Sequence, residues 1–171
     1  KIAAVPFQIW APDVYQGAPA PVTAFLAIGS KAAGFVLLLR VLYTAFQVQP
    51  GGPRLLEPAA LLSVMAAATI SFGSLCALRQ RNLKRLLGYA SIASAGYVLL
   101  GIVALNERGA AAVLVYLAGY LFAIIAAFTV ISILTPDDED EDLSILANLH
   151  QRSPLMAVTL TLAVASLAGI P

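Results

Sequence analysis

The chain has 171 residues, of which 60% are hydrophobic and only 11% charged, with a mean hydropathy of +0.88. Soluble domains carry about 25% charged residues, so this composition belongs to a polytopic membrane protein. A net charge of +1 gives no basic footprint for a nucleic-acid partner, and the single cysteine and single histidine exclude a thiolate cluster or a histidine-based metal centre. No P-loop or GxGxxG pattern is present to cradle a nucleotide.

The first residues, KIAAVPFQIW, read as the end of a broken helix over 1–15, interrupted at Pro6 and stopped by Pro12. The chain starts on Lys1 rather than Met and stops at Pro171 inside an apolar run, so we expect an internal piece of a longer membrane subunit. A proline- and glycine-rich stretch, APDVYQGAPAP, follows at 11–21 and predicts a turn, with Trp10 and Tyr15 as anchors at the membrane interface. Predicted spans then run over about 22–46, 58–78, 86–105, 110–134 and 154–171. The first four are long enough to cross about 30 Å of hydrocarbon as helices, the last is expected to be cut off at Pro171, and none alternates as barrel strands do. Arg79, Arg81, Lys84 and Arg85 crowd the turn between the second and third spans, which places that turn on the cytoplasmic side. Alternation then puts 11–21 and 135–153 inside, and 47–57 and 105–109 outside. The acidic run at 137–142 does not overturn this, because Asp and Glu contribute little to topology; it reads as a solvated loop, with His150 on the surface after it.

Lys31 is the residue that asks for an explanation. It lies about nine residues inside its span, roughly 13 Å deep at 1.5 Å per residue, which is a poor position for snorkelling. A lysine at that depth costs about 2.5–3.5 kcal/mol on insertion scales, so a functional, interior-facing role is expected. Gly29, Ser30, Ala32, Ala33 and Gly34 surround it with small side chains that leave room for water or a close helix. Arg40, near the outer end of the same span, is expected to reach the headgroups. Lys1, before a broken helix, reads equally as an intramembrane lysine or a terminal surface charge. Ser91, Ser94 and Tyr97 recur at three-residue steps, and Tyr116 and Tyr120 are one turn apart. Small-residue packing is the favoured reading of both sets, and a hydrated, proton-conducting face is the other.

Four stretches, KIAAVPFQIWAPDVYQGAPAPVTAFLAIGSKAAGF, RNLKRLLGYASIASAGY, VYLAGYLFAIIAAFTVISIL and RSPLMAVTLTLAVASLAGIP, together resemble the subunit-N family of proton-pumping NADH–quinone oxidoreductase, respiratory complex I. The likeness spans essentially the whole chain. It implies an all-α, antiporter-like helix bundle with inverted repeats and broken helices, in which Lys1 and Lys31 match the lysines of a proton relay. Ser91, Ser94, Tyr97, Tyr116 and Tyr120 would be candidates for its lining. It implies a translocase subunit in the inner (plasma) membrane of a bacterium, partnered by other membrane-arm subunits and lipid. No cofactor or metal is expected in this chain; NADH, FMN, iron–sulfur clusters and quinone would be handled by other parts of the parent complex. Family members usually read VPFH and SIAHAGY, whereas Gln8 and Ser94 stand at the histidine positions here. The alternative is a Mrp-type sodium/proton antiporter subunit without redox coupling, against which PDVYQGAPAP weighs.

Overall fold

The computed structural model describes residues 1–45, 56–135 and 142–169. Residues 47–55 of the expected outer loop, and the acidic run except Asp142, lie outside these limits. Among the described residues every regular element is helical. The order is α1 (Trp10–Gly17), α2 (Ala20–Phe25), a π-helical turn (Leu26–Ser30), α3 (Lys31–Ala45), α4 (Leu56–Ala77), α5 (Leu83–Val103), α6 (Glu107–Leu134), a 3₁₀ turn (Leu143–Leu146), α7 (Leu149–Arg152) and α8 (Pro154–Leu167). Four segments are long and apolar enough to cross a bilayer: Ala20–Thr44, Ala59–Ala77, Leu83–Val103 and Glu107–Leu134. The chain is thus an all-α bundle of the membrane type.

The N-terminal segment differs from its sequence reading. Residues 1–9 form no regular helix, and α1 begins at Trp10, so Pro12 sits in the first turn of a helix instead of ending one. Proline is tolerated there because a first-turn N–H has no intrahelical partner. The same logic places Pro21 in the first turn of α2 and Pro154 at the start of α8. Much of the stretch expected to be a turn is therefore helical.

Asparagines set the start of both central helices. The Asn82 side chain accepts from the Arg85 amide at 2.9 Å, and the Asn106 side chain accepts from the Gly109 amide at 2.7 Å. Each satisfies one of the donors a helix N-terminus leaves open. Helix α5 is buried on most of its circumference and forms the axis of the bundle. Helices α1, α4 and α6 pack on it, while α6 is also covered by α2 and α8. Helix α4 approaches α5 closely: a Cβ on Gly73 would lie 2.5 Å from the Ala93 nitrogen, and one on Gly96 would lie 3.0 Å from the Ala66 carbonyl. Helices in lipid associate through such small-residue contacts, which let dispersion forces act between backbones.

Candidate functional site

Lys31 is the first residue after the π-turn, midway along the Ala20–Thr44 span. A π-turn inserts an extra residue into a helix and shifts the side chains beyond it, and such turns are frequent at functional sites. Here the result is a lysine 3% exposed, turned into the bundle. Its Nζ donates to both the backbone carbonyl and the hydroxyl of Ser91 on α5. It also lies 5.9 Å from the centre of the Tyr120 ring on α6, within cation–π range.

Ser91 carries a second partner. Its hydroxyl is 3.0 Å from the Tyr15 hydroxyl, and both side chains are buried. Tyr15 reaches that depth because α1 lies directly on Gly88, where a Cβ would meet the Pro12 Cα at 3.1 Å. The Tyr15 ring is braced edge-on by Phe128, with centroids 6.4 Å apart. Tyr15 is thus no interface anchor; it is a wall of the lysine site. Nothing in APDVYQGAPAP signals this, because the burial comes from a helix 76 residues along the chain. Trp10 is 37% exposed.

Lys84, in the basic turn, is buried and donates to the Ala18 carbonyl at 3.1 Å. The Thr23 hydroxyl reaches the same carbonyl at 3.2 Å, so the corner joining α1 to α2 is held from both sides. At the surface beside it, Arg85 pairs with Asp13 at 2.9 Å and bonds Gln16 at the same distance.

Lys1 is exposed and makes no hydrogen bond or ion pair among the described residues. The segment behind it is fixed: Ile2 fills the space over Gly34, one turn beyond Lys31 on α3, and the Val5 amide donates to the Thr69 hydroxyl at 3.0 Å. Gln8 is buried, and its side-chain oxygen has no partner among the described residues. Ser94 donates to the Ala90 carbonyl at 2.9 Å within its own helix. The Tyr116 and Tyr120 rings stack at 6.4 Å, and Tyr97 meets Tyr116 edge-on at 6.5 Å. The structure therefore gathers Lys31, Ser91 and Tyr120 at one point, with Ser94, Tyr116 and Tyr97 beside it, and leaves Lys1 apart. Arg40 and His150 are exposed. Among the described residues no group of three histidine, cysteine or carboxylate side chains is placed to hold a metal ion.

An ammonium in this setting is held by neutral oxygens and a ring face. A hydroxyl that can both give and accept a proton touches it directly, which is the minimum needed to pass a proton on.

Comparison with known proteins adds an independent line. The family described as NADH:quinone oxidoreductase/Mrp antiporter, transmembrane, matches residues 1–171. NADH-quinone oxidoreductase subunit N of Anoxybacillus flavithermus is 46% identical over 174 residues, covering all of this chain and 35% of that protein. NAD(P)H-quinone oxidoreductase subunit 2 of Prochlorococcus marinus is 44% identical over 171 residues, with 32% of its length covered. Among solved structures, respiratory complex I from Thermus thermophilus with bound aureothin contains a chain 34% identical, with a TM-score of 0.73 over 99% of this chain and 35% of that one. A chain of the archaeal membrane-bound sulfane sulfur reductase is 27% identical, with a TM-score of 0.81 over 98% of this chain and 34% of that one. This chain spans about a third of the length of the relatives it matches.

Proposed function

The chain belongs to the NADH:quinone oxidoreductase/Mrp antiporter transmembrane family, and on that footing we propose that it is part of a proton-translocating membrane subunit of an NADH–quinone oxidoreductase. The observation that carries the proposal is Lys31, a lysine buried midway along an apolar span in direct contact with a hydroxyl. Charge at that depth is costly, and it persists in proteins chiefly where ions or protons move.

In this reading Lys31 takes a proton from the cytoplasmic side and holds it while Ser91 and the Tyr120 ring stabilise the ammonium. A change in nearby charge then releases it sideways through the membrane arm. Ser91 serves as the immediate partner, and Tyr15 fixes the Ser91 hydroxyl. Lys1, matched by resemblance to a relay lysine, would pair with a carboxylate from another segment of the subunit. Closing that pair favours the charged lysine and opening it favours release. Electron transfer from NADH through FMN and iron–sulfur clusters to quinone would occur in other subunits, with no cofactor held by these residues. The partners would be neighbouring membrane-arm subunits in a bacterial plasma membrane. Relatives named for NADH-quinone oxidoreductase, rather than for a redox-independent antiporter, favour this over the Mrp-type reading.

The test replaces Lys31 by Met in the full-length subunit within the assembled complex. Inside-out membrane vesicles given NADH should then acidify less than wild type at equal complex content. Unchanged acidification per electron would reduce the chain to a structural spacer.

A further inference from the structure

Ser91 behaves unlike the other buried hydroxyls of the bundle's helices. Thr69 on α4, Ser94 on α5 and Thr135 at the end of α6 each donate to the carbonyl four residues back, at 2.5, 2.9 and 2.9 Å. That bond is the ordinary local outlet for a helical hydroxyl with no better partner. The Ser91 hydroxyl, fully buried and one turn from Ser94, makes no such bond to the Leu87 carbonyl among the described residues. It is held between the Lys31 Nζ and the Tyr15 hydroxyl instead.

Tyr15 is placed firmly for this contact. Gly88, three residues before Ser91, has no side chain to keep α1 away: a Cβ there would lie 3.1 Å from the Pro12 Cα and 3.5 Å from the Tyr15 Cβ. The Tyr15 carbonyl accepts from the Thr23 hydroxyl at 3.4 Å, and Lys84 and Thr23 both bond the Ala18 carbonyl just beyond it. Phe128 braces the ring from α6. The phenol oxygen therefore stays at Ser91, and only its proton is free to turn.

We propose that Tyr15 is a positioning residue that keeps the Ser91 hydroxyl available to Lys31 in both charge states of the lysine, by reversing the direction of its own hydrogen bond to Ser91. The proposal rests on the reading of Lys31 as a proton carrier. A hydroxyl has one proton and two lone pairs, and either oxygen of the Tyr15–Ser91 pair can be the donor. While Lys31 is an ammonium it can only donate, so it takes a lone pair of Ser91 and the Ser91 proton turns to Tyr15. Once Lys31 has given up its proton, the amine nitrogen carries a lone pair of its own. Ser91 then turns its proton to that nitrogen, and Tyr15 donates to Ser91. Each hydroxyl rotates about its C–O bond; no covalent bond breaks in the reversal and no heavy atom moves. Without the Tyr15 oxygen, the Ser91 proton falls back to the Leu87 carbonyl, as that of Ser94 does to Ala90, and the uncharged lysine loses its donor. Tyr15 from α1 and Tyr120 from α6 are the titratable groups beside Lys31, with Tyr116 one turn further on. Lys1 is exposed, and Lys31 has no ion pair among the described residues.

The experiment uses the full-length subunit in the assembled complex and measures protons moved per electron, across a range of pH, in vesicles given NADH. It compares wild type, Tyr15→Phe, Ser91→Ala, the double variant and Lys31→Met. Tyr15→Phe removes one oxygen and keeps the ring against Gly88 and Phe128. The pH at which the ratio is half-maximal should move by about half to one unit, the size of one neutral hydrogen bond. Ser91→Ala should move it the same way, and the double variant no further than Ser91→Ala alone. A wild-type profile for Tyr15→Phe, beside a lowered ratio for Lys31→Met, overturns the role of Tyr15 and leaves the Lys31 reading standing. A lowered ratio with an unmoved profile makes Tyr15 merely structural and also overturns it, as does an additive shift in the double variant. Wild-type behaviour of Lys31→Met overturns both readings. Should Tyr15→Phe fail to assemble, a fluorinated tyrosine at position 15, which keeps the ring and the bond but makes the phenol a weaker acceptor, decides by the same shift.

Discussion

Gly73→Ala is the substitution for which the structure gives the sharpest mechanical expectation. The added methyl carbon would stand 2.5 Å from the Ala93 nitrogen, 2.9 Å from the Tyr89 carbonyl oxygen and 3.0 Å from the Ala93 Cα. All three are backbone atoms of α5, so no side chain can swing aside. Ordinary contact begins near 3.4 Å, and the two helices must part by about 1 Å, an overpacking that costs about 1–3 kcal/mol. The displaced stretch of α5 carries Ser91, the proposed partner of Lys31, and a misplacement of about 1 Å at a reacting group can cost on the order of a hundredfold in rate. The assay is thermal inactivation of NADH-driven proton pumping, together with the initial pumping rate before heating. Gly119→Ala provides the contrast, because a Cβ on Gly119 would meet nothing within 4 Å among the described residues and alanine favours the helix by about 0.5–1 kcal/mol. Gly73→Ala should inactivate earlier and pump more slowly, while Gly119→Ala should match or exceed wild type. Equal behaviour of the two variants would refute the close-contact reasoning.

Two further outcomes concern the ends of helices. Asn106→Ala removes the acceptor for the Gly109 amide and should weaken the start of α6 by about 1 kcal/mol, so exchange of that amide should rise about fivefold. Asp142 accepts from the Ser144 amide at 2.8 Å, and the hydrogen bonds from Ser144 hold its carboxyl below the usual range. A lowered carboxylate stabilises the fold above its unfolded value near 3.9 and loses that contribution as pH falls through the lowered one. Protection of the Ser144 amide should therefore persist at about pH 4 and fail only in stronger acid, with Asp142→Asn lacking the dependence.

The helical membrane class was legible in the sequence because it follows from run length and the absence of charge, both local properties. Lys31 was legible for the same reason: one charge in an apolar run stands out without any knowledge of what surrounds it. Tyr15 was not, since its burial requires α1 to lie on Gly88, a contact between segments far apart in the chain. Lys84 looked like its arginine neighbours and differs only in the direction its side chain takes toward Ala18. Pro12 misled because proline marks a helix start and a helix stop with the same residue, and only the backbone distinguishes them. The π-turn before Lys31 has no residue signature in LAIGS, yet it precedes the residue on which the site depends.

As proposed, Lys31 carries protons and does not merely supply fixed positive charge. Lys31→Arg separates the two, because a guanidinium keeps its charge but is never deprotonated in proteins. Protons moved per electron should be measured for this variant in the assembled complex, at wild-type complex content. The ratio should be as low as that of Lys31→Met if Lys31 must release its proton. A wild-type ratio with arginine in place would contradict it, because a residue that never releases its proton would then suffice.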